Sequence, residues 1–438
     1  MALPDSVRRL NTAVQTISRT NLSRISPNCQ RIVPADQALG LGRARVIPSP
    51  DAGDEVMAGK SYPDAHPVAG ASLHKVSLFR PSLLWLLILA PVAAVLDHAG
   101  IVPAGIVFFC AALAIVPFAK LIVQGTEQVA VHTGATIGGL LNATFGNLPE
   151  LIIAMAALRA GLLEMVRASI IGALLANLLV ALGLSFLLGG IRHHSQEYNP
   201  NAIRTYSSTM VLAWISLALP SAFHRALEEE SHLGVHATLD LVVAVVLLGL
   251  YGLFLLYSLR THPETFAELN SPVSHEGAGE HPTIVRGVVT LLVASLGAAW
   301  MSEILVGAAE QAGQSLGMSQ MFMGVIVLAL VGGAAESGSA IAMGRANRPD
   351  LSIGIALGSC VQIALFVAPM LVLIAPVMGQ PQFRLVFSQA EMWMLFGAVL
   401  LGATVTTTGH STWFRGAQLL ALYLIIAAIL YLIPATLS

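Results

Sequence analysis

The sequence predicts an all-α polytopic membrane protein: two inverted-topology five-helix repeats plus one extra N-terminal helix, about 11 transmembrane helices in all. Three observations lead there. The chain of 438 residues is 55% hydrophobic and only 11% charged, with a mean hydropathy of +0.76, whereas soluble domains carry roughly 25% charged residues. Apolar runs follow one another from Leu83 to the end, and only one long polar interruption divides them. A glutamate stands in small-residue apolar sequence once on each side of that interruption, at Glu150 and Glu336.

A spanning helix needs about 20 mostly apolar residues. On that basis spans are expected near 82–97, 101–123, 133–158, 164–188, 206–222, 237–258, 284–306, 319–343, 350–377, 390–409 and 414–434. The first is short enough to be a re-entrant piece. Residues 1–80 are rich in Ser, Pro, Asp and Arg and read as a disordered polar tail. Within it, Ser6 to Ser18 puts Val7, Leu10, Val14 and Ile17 on one helical face beside Arg8 and Arg9, a pattern that also fits an organellar targeting segment. The remaining organisation is an extra helix over 81–99, a first repeat over 100–260, a polar, mildly acidic linker over 261–283 and a second repeat over 284–438. Five spans in each half, leaving aside the extra first helix, force the halves into opposite orientations, the architecture of many secondary transporters.

Charge placement supports this order. With the tail inside, the inner loops and span ends hold Lys120, Arg192, Arg204, Arg260, Arg286, Arg345, Arg348 and Arg415, against Arg159, Arg167, Arg225 and Arg384 outside. That two-to-one excess follows the positive-inside rule. Glu228, Glu229 and Glu230 cluster in an expected outer loop. No basic block interleaved with aromatics points to nucleic acid. Cys29, Cys110 and Cys360 are too few and scattered for a disulfide or zinc framework.

The two glutamates carry the chemistry. An ionisable side chain in lipid is expensive and marks function. Glu150 ends Gly-Gly-Leu-Leu-Asn-Ala-Thr-Phe-Gly-Asn-Leu-Pro-Glu, and Glu336 ends Leu-Val-Gly-Gly-Ala-Ala-Glu. Pro149 lacks an N–H and should interrupt the helix just before Glu150. Broken backbone at membrane depth is tolerated where it lines a cavity. The next span of each half carries an amide, Asn177 or Gln362, with Ser169 and Ser359 nearby. This donor set is almost all oxygen, which suits a hard cation such as Ca²⁺ and not a soft metal. Two carboxylates neutralise one dication. Without the ion, close carboxylates repel and at least one takes a proton, so they titrate as a coupled pair. One site then holds a dication or protons, and not both. Nothing in this set calls for a cofactor. A membrane-embedded enzyme using the two glutamates as an acid/base pair finds no support from an HExxH or G-x-S-x-G motif.

At these motifs the chain resembles the cation/proton exchanger (Ca²⁺/H⁺ antiporter) family of the Ca²⁺:cation antiporter superfamily. The likeness runs from Gly125-Thr126-Glu127 through the first glutamate motif to Asn177. It resumes at Trp300-Met301-Ser302-Glu303, at Gly332 to Glu336, at Asn347 to Ser352, at Gly358 to Val367, and over Trp413 to Pro434. The resemblance implies an exchanger of Ca²⁺ for protons working by alternating access in a membrane, with Ca²⁺ as transported substrate. Glu150 and Glu336 are then the ion and proton carboxylates. Asn147 and the backbone at Gly146 and Gly332 assist. Asn177, Gln362, Ser169 and Ser359 line the core, and Glu127 and Glu303 the approaches. The second motif departs from the family's Gly-Asn-Ala-Ala-Glu-His, because Gly333 stands for the Asn and Ser337 for the His. The stretch Thr408 to Gly416 has lost the family's acids. These departures keep a monovalent cation (Na⁺ or K⁺)/H⁺ antiporter open as the alternative. A multi-pass location in the bacterial inner (plasma) membrane is expected, with an organellar membrane as the alternative. The oligomeric state is not legible.

Overall fold

A computed structural model describes residues 83–227, 233–266 and 283–432. The N-terminal tail with its Ser6–Ser18 segment, the acidic triplet at 228–230 and most of the polar linker lie outside the described residues. Apart from one pair of three-residue strands, the described chain is helix and connecting turns.

Helix α1 is Leu83–Ala99. It consists of six residues of tight helix followed by eleven of α-helix, ending on left-handed Gly100. At 17 residues it lies at the short end of the lengths that cross a bilayer, about 17–25 residues. Among the described residues nine further helices are long and apolar enough to cross, ten when one bent pair is counted as a span.

The first half contains α2 (Ala104–Thr133), the broken span α3 (Ala135–Phe145) and α4 (Leu148–Arg159), then α5 (Leu163–His193), α6 (Pro200–Leu227) and α7 (Leu233–Leu256). A short α8 (Pro263–Phe266) opens the linker. The second half repeats the order with α9 (Ile284–Leu316), α10 (Gln320–Gly332) and α11 (Ala334–Arg345), α12 (Pro349–Ile374), α13 (Gln389–Thr406) and α14 (Trp413–Leu432).

The two halves interleave through small residues. Helices α2 and α9 lie side by side along most of their length. Phe118 meets Gly297, and Gly125 meets Gly287 and Leu291, so the pair runs antiparallel. Opposite directions for the first helix of each half are what an inverted repeat requires. The broken span α10–α11 lies along α5: Gly324 abuts Met165 and Ala168, Gly172 abuts the Val325 backbone, and Gly344 abuts Ser185. Any Cβ at Gly172 would collide with that backbone, so close helix approach depends on the missing side chain. The largest core is built mainly from α5, α6, α12 and α13, around Phe186, Leu174, Leu175, Leu357 and Leu395.

Loops that touch must lie on one side of the membrane. Strand β1 (Ser195–Glu197), after α5, pairs antiparallel with β2 (His410–Thr412), before α14. Gln196 Nε2 donates to the Gly344 carbonyl at 2.8 Å and to Asn347 Oδ1 at 2.9 Å. The Asn199 N–H donates to Asp350 Oδ1 at 2.8 Å. Three loops that the charge count puts inside therefore form one clasp. On the other face, Phe387 N–H donates to Ser221 Oγ at 3.0 Å, and Gly161 lies against the Gln380 amide. All four of those residues fall on the expected outer side.

Candidate functional site

Both glutamates stand in the first turn of a helix that restarts after a break. In the first half α3 stops at Phe145 and α4 restarts at Leu148, with Pro149 early in its first turn, where a missing N–H costs nothing. In the second half α10 stops at Gly332 and α11 leaves at an angle of 61°. An unbroken helix would bond Glu150 N–H to the Gly146 carbonyl and Glu336 N–H to the Gly332 carbonyl. Neither bond forms, so both glycine carbonyls are released. Each carboxylate is also placed at the positive end of its new helix.

The carboxylates cross between halves. Glu150 reaches across to the second break: a Cβ on Gly332 would lie 3.2 Å from Glu150 Cγ, and one on Gly333 3.6 Å from Glu150 Oε1. Glu336 reaches across to the first break, where a Cβ on Gly146 would lie 3.5 Å from Glu336 Oε1.

A chain of polar groups ties the halves together behind them. Asn177 Nδ2 donates to Ser359 Oγ at 3.0 Å. Ser359 Oγ donates to Asn147 Oδ1 at 2.7 Å. Asn147 Nδ2 donates to Gln362 Oε1 at 2.5 Å. Asn177 falls in a wide helical turn (Ala176–Ala181), and Gln362 immediately precedes another (Ile363–Val367). Such turns put one extra residue into the helix and are frequent at functional sites.

Four oxygens at this junction are buried without a hydrogen-bond partner: Glu150 Oε1 and Oε2, Glu336 Oε2 and Asn177 Oδ1. Buried acceptors are almost always satisfied, so this cluster is built to receive something, a cation or a proton. Among the described residues no group of three or more His, Cys, Asp or Glu side chains could hold a metal ion. A cation here must complete its shell from amides and released carbonyls.

Ser169 and Glu303 make their contacts elsewhere. The Ser169 hydroxyl bonds the Val166 carbonyl at 2.8 Å, and its backbone lies beside Gly324. Glu127 is half-buried on α2. Glu303 on α9 is exposed and pairs with Arg159 Nη1 at 3.1 Å. Ser337 Oγ would lie 3.9 Å from a Cβ on Gly333, one helical turn further on. The sequence reading missed Tyr251, whose hydroxyl donates to the Ala143 carbonyl at 2.7 Å, one turn before the first break. A tyrosine in an apolar span was the available signal.

Ten spans in two inverted halves, with paired carboxylates crossing at two helix breaks, define a secondary active cation transporter. The chain belongs to the sodium/calcium exchanger protein family, whose signature matches residues 104–260 and 286–432. It is similar to a protein of Synechocystis named Ca(2+)/H(+) antiporter, 40% identical over 75% of this chain and 91% of that one. It is also similar to the Ca(2+)/H(+) antiporter ChaA of Bacillus subtilis, 38% identical over 74% of this chain and 92% of that one. Among solved structures it resembles native YfkE, with a TM-score of 0.68 and 32% identity, covering 80% of this chain and all of that one.

Proposed function

We propose that the protein exchanges Ca²⁺ for protons across a membrane, with Glu150 and Glu336 holding the cation and the protons in turn. The observation that carries this reading is the cluster of unpartnered buried oxygens on two crossing carboxylates. Two ionised carboxylates balance one dication, and the released Gly146 and Gly332 carbonyls with the Asn177 oxygen supply further neutral ligands of the kind Ca²⁺ takes. When the ion departs, mutual repulsion draws protons onto the pair. Loaded with either, the site is close to neutral and can change its exposure; empty and charged, it is costly to bury. That condition couples the two fluxes.

Support for a route from the inner side comes from Asn142 on α3 and Gly338 and Ser339 on α11. All three are exposed, although they stand within spans. The polar side chains of Asn142 and Ser339 fit a water-lined approach better than lipid. The names of the two bacterial relatives favour Ca²⁺ over Na⁺ or K⁺ as the cation, and their sources favour the bacterial plasma membrane as the location.

The test is an ion panel in proteoliposomes with an imposed pH gradient. Ca²⁺ should collapse the gradient, while Na⁺ and K⁺ at the same concentration should not. A gradient that Na⁺ or K⁺ discharges and Ca²⁺ leaves intact would sink the reading.

A further inference from the structure

The two breaks are not held in the same way. In the second half the Ala329 carbonyl is bonded by the Gly333 N–H, 3.0 Å away, so helix geometry persists up to the break. The corresponding carbonyl in the first half, four residues before Asn147, belongs to Ala143. It does not receive the Asn147 N–H. Instead it accepts the hydroxyl of Tyr251 at 2.7 Å, a side chain from α7, the last helix of the same half. The first break therefore opens one hydrogen bond earlier than the second, and a phenol occupies the acceptor that would otherwise draw Asn147 back into the helix.

Tyr251 is well placed to hold that position. It is 5% exposed, and its ring stacks on Phe366 with centroids 5.4 Å apart. Phe366 lies in the wide turn that follows Gln362, and Gln362 accepts from Asn147. One aromatic pair thus touches both the carbonyl before the break and the turn beyond its amide partner. The last helix of the second half also carries a buried tyrosine, Tyr423, but its hydroxyl has no hydrogen-bond partner.

We infer that Tyr251 is a positioning residue for transport: its hydroxyl keeps the first helix break open and so fixes Asn147 and Glu150 for the cation. This rests on the reading of the glutamate pair as the cation site. Without the hydroxyl, the Asn147 N–H can return to the Ala143 carbonyl, which rewinds the break and turns Asn147 away from Ser359 and Gln362. Cation affinity should suffer more than maximal rate.

The experiment compares wild type, Tyr251→Phe and Tyr423→Phe in proteoliposomes, by KM and maximal rate for Ca²⁺. Tyr251→Phe preserves the ring stack and removes only the hydrogen bond. Loss of one such bond is worth about a fivefold to tenfold rise in KM, with little change in maximal rate. Tyr423→Phe should match wild type within about twofold. Unchanged KM in Tyr251→Phe, or an equal rise in Tyr423→Phe, overturns the inference. If Tyr251→Phe does not insert, Phe366→Leu replaces it; loosening the stack should raise KM, and an unchanged KM counts against the idea. If wild type moves another cation, the Ca²⁺ reading fails separately, and the same comparison is made with that ion.

Discussion

Ser359 donates its hydroxyl hydrogen to Asn147 Oδ1 at 2.7 Å while accepting from Asn177 Nδ2 at 3.0 Å. One second-half hydroxyl therefore orients two first-half amides that lie 30 positions apart in sequence. Its donation engages the Asn147 oxygen, and its acceptance leaves the Asn177 oxygen as the unpartnered one. The orientation of both amides is thus fixed by a contact between halves, not within one.

Replacing Ser359 with Ala removes the shared partner of both amides. A buried group left unsatisfied costs about 1–3 kcal/mol. The expected outcome is a rise in Ca²⁺ KM of about tenfold, with normal insertion and retained exchange. Ser359→Thr, which keeps a hydroxyl, should recover part of the loss. Equal KM values for Ser359→Ala and wild type in the same vesicles would show that the hydroxyl does not orient the site.

Glu150→Gln and Glu336→Gln should each abolish coupled exchange while the protein still inserts. Either change removes a titratable carboxylate and half the charge that balances the dication. In wild type, Ca²⁺ affinity should be strongest at high pH and decline as pH falls, because protons compete for the same oxygens. Flux measured against pH in everted vesicles checks both points. Near-normal exchange in either glutamine variant is incompatible with the mechanism.

Gly333→Asn introduces an amide where the second break has none. Its Cβ would sit 3.6 Å from Glu150 Oε1 and 3.3 Å from the Ala329 carbonyl, a close fit, and the backbone there, at φ −78°, suits a residue with a side chain. The added oxygen should tighten Ca²⁺ binding several-fold and increase its advantage over Na⁺ and K⁺. A competition assay with the three ions reads this directly, and unchanged selectivity would mean that the position does not reach the cation.

Gly172→Leu should prevent correct assembly. A side chain there enters the backbone of Val325, and overpacking a close helix contact costs about 1–3 kcal/mol or more. Gly249→Leu on α7 is the matched control, since nothing lies within 4 Å of its Cβ position. Size-exclusion profiles of the detergent-extracted proteins distinguish the two; a monodisperse Gly172→Leu peak at wild-type yield would refute the packing argument.

The sequence by itself determined the membrane class, most of the spans and which loops share a side. Lipid leaves few alternatives to a long apolar helix, and arginine placement records orientation. It also singled out Glu150 and Glu336, because a carboxylate is too costly in lipid to stand there without a task, and Pro149 marked the first break by its missing N–H. Its first expected span is a 17-residue apolar helix, α1, that ends at Gly100. Only the tertiary structure decided which groups meet. The crossing of each carboxylate to the opposite break, the Asn177–Ser359–Asn147–Gln362 chain and the Tyr251 bond to Ala143 all join residues far apart in sequence. The separation of Ser169 from this junction is equally a matter of packing, since its spacing looked suitable. Local sequence sets helix length and breakage through hydrogen-bond supply. Partners across an inverted repeat are set by how two halves of opposite orientation interleave, which no local spacing encodes.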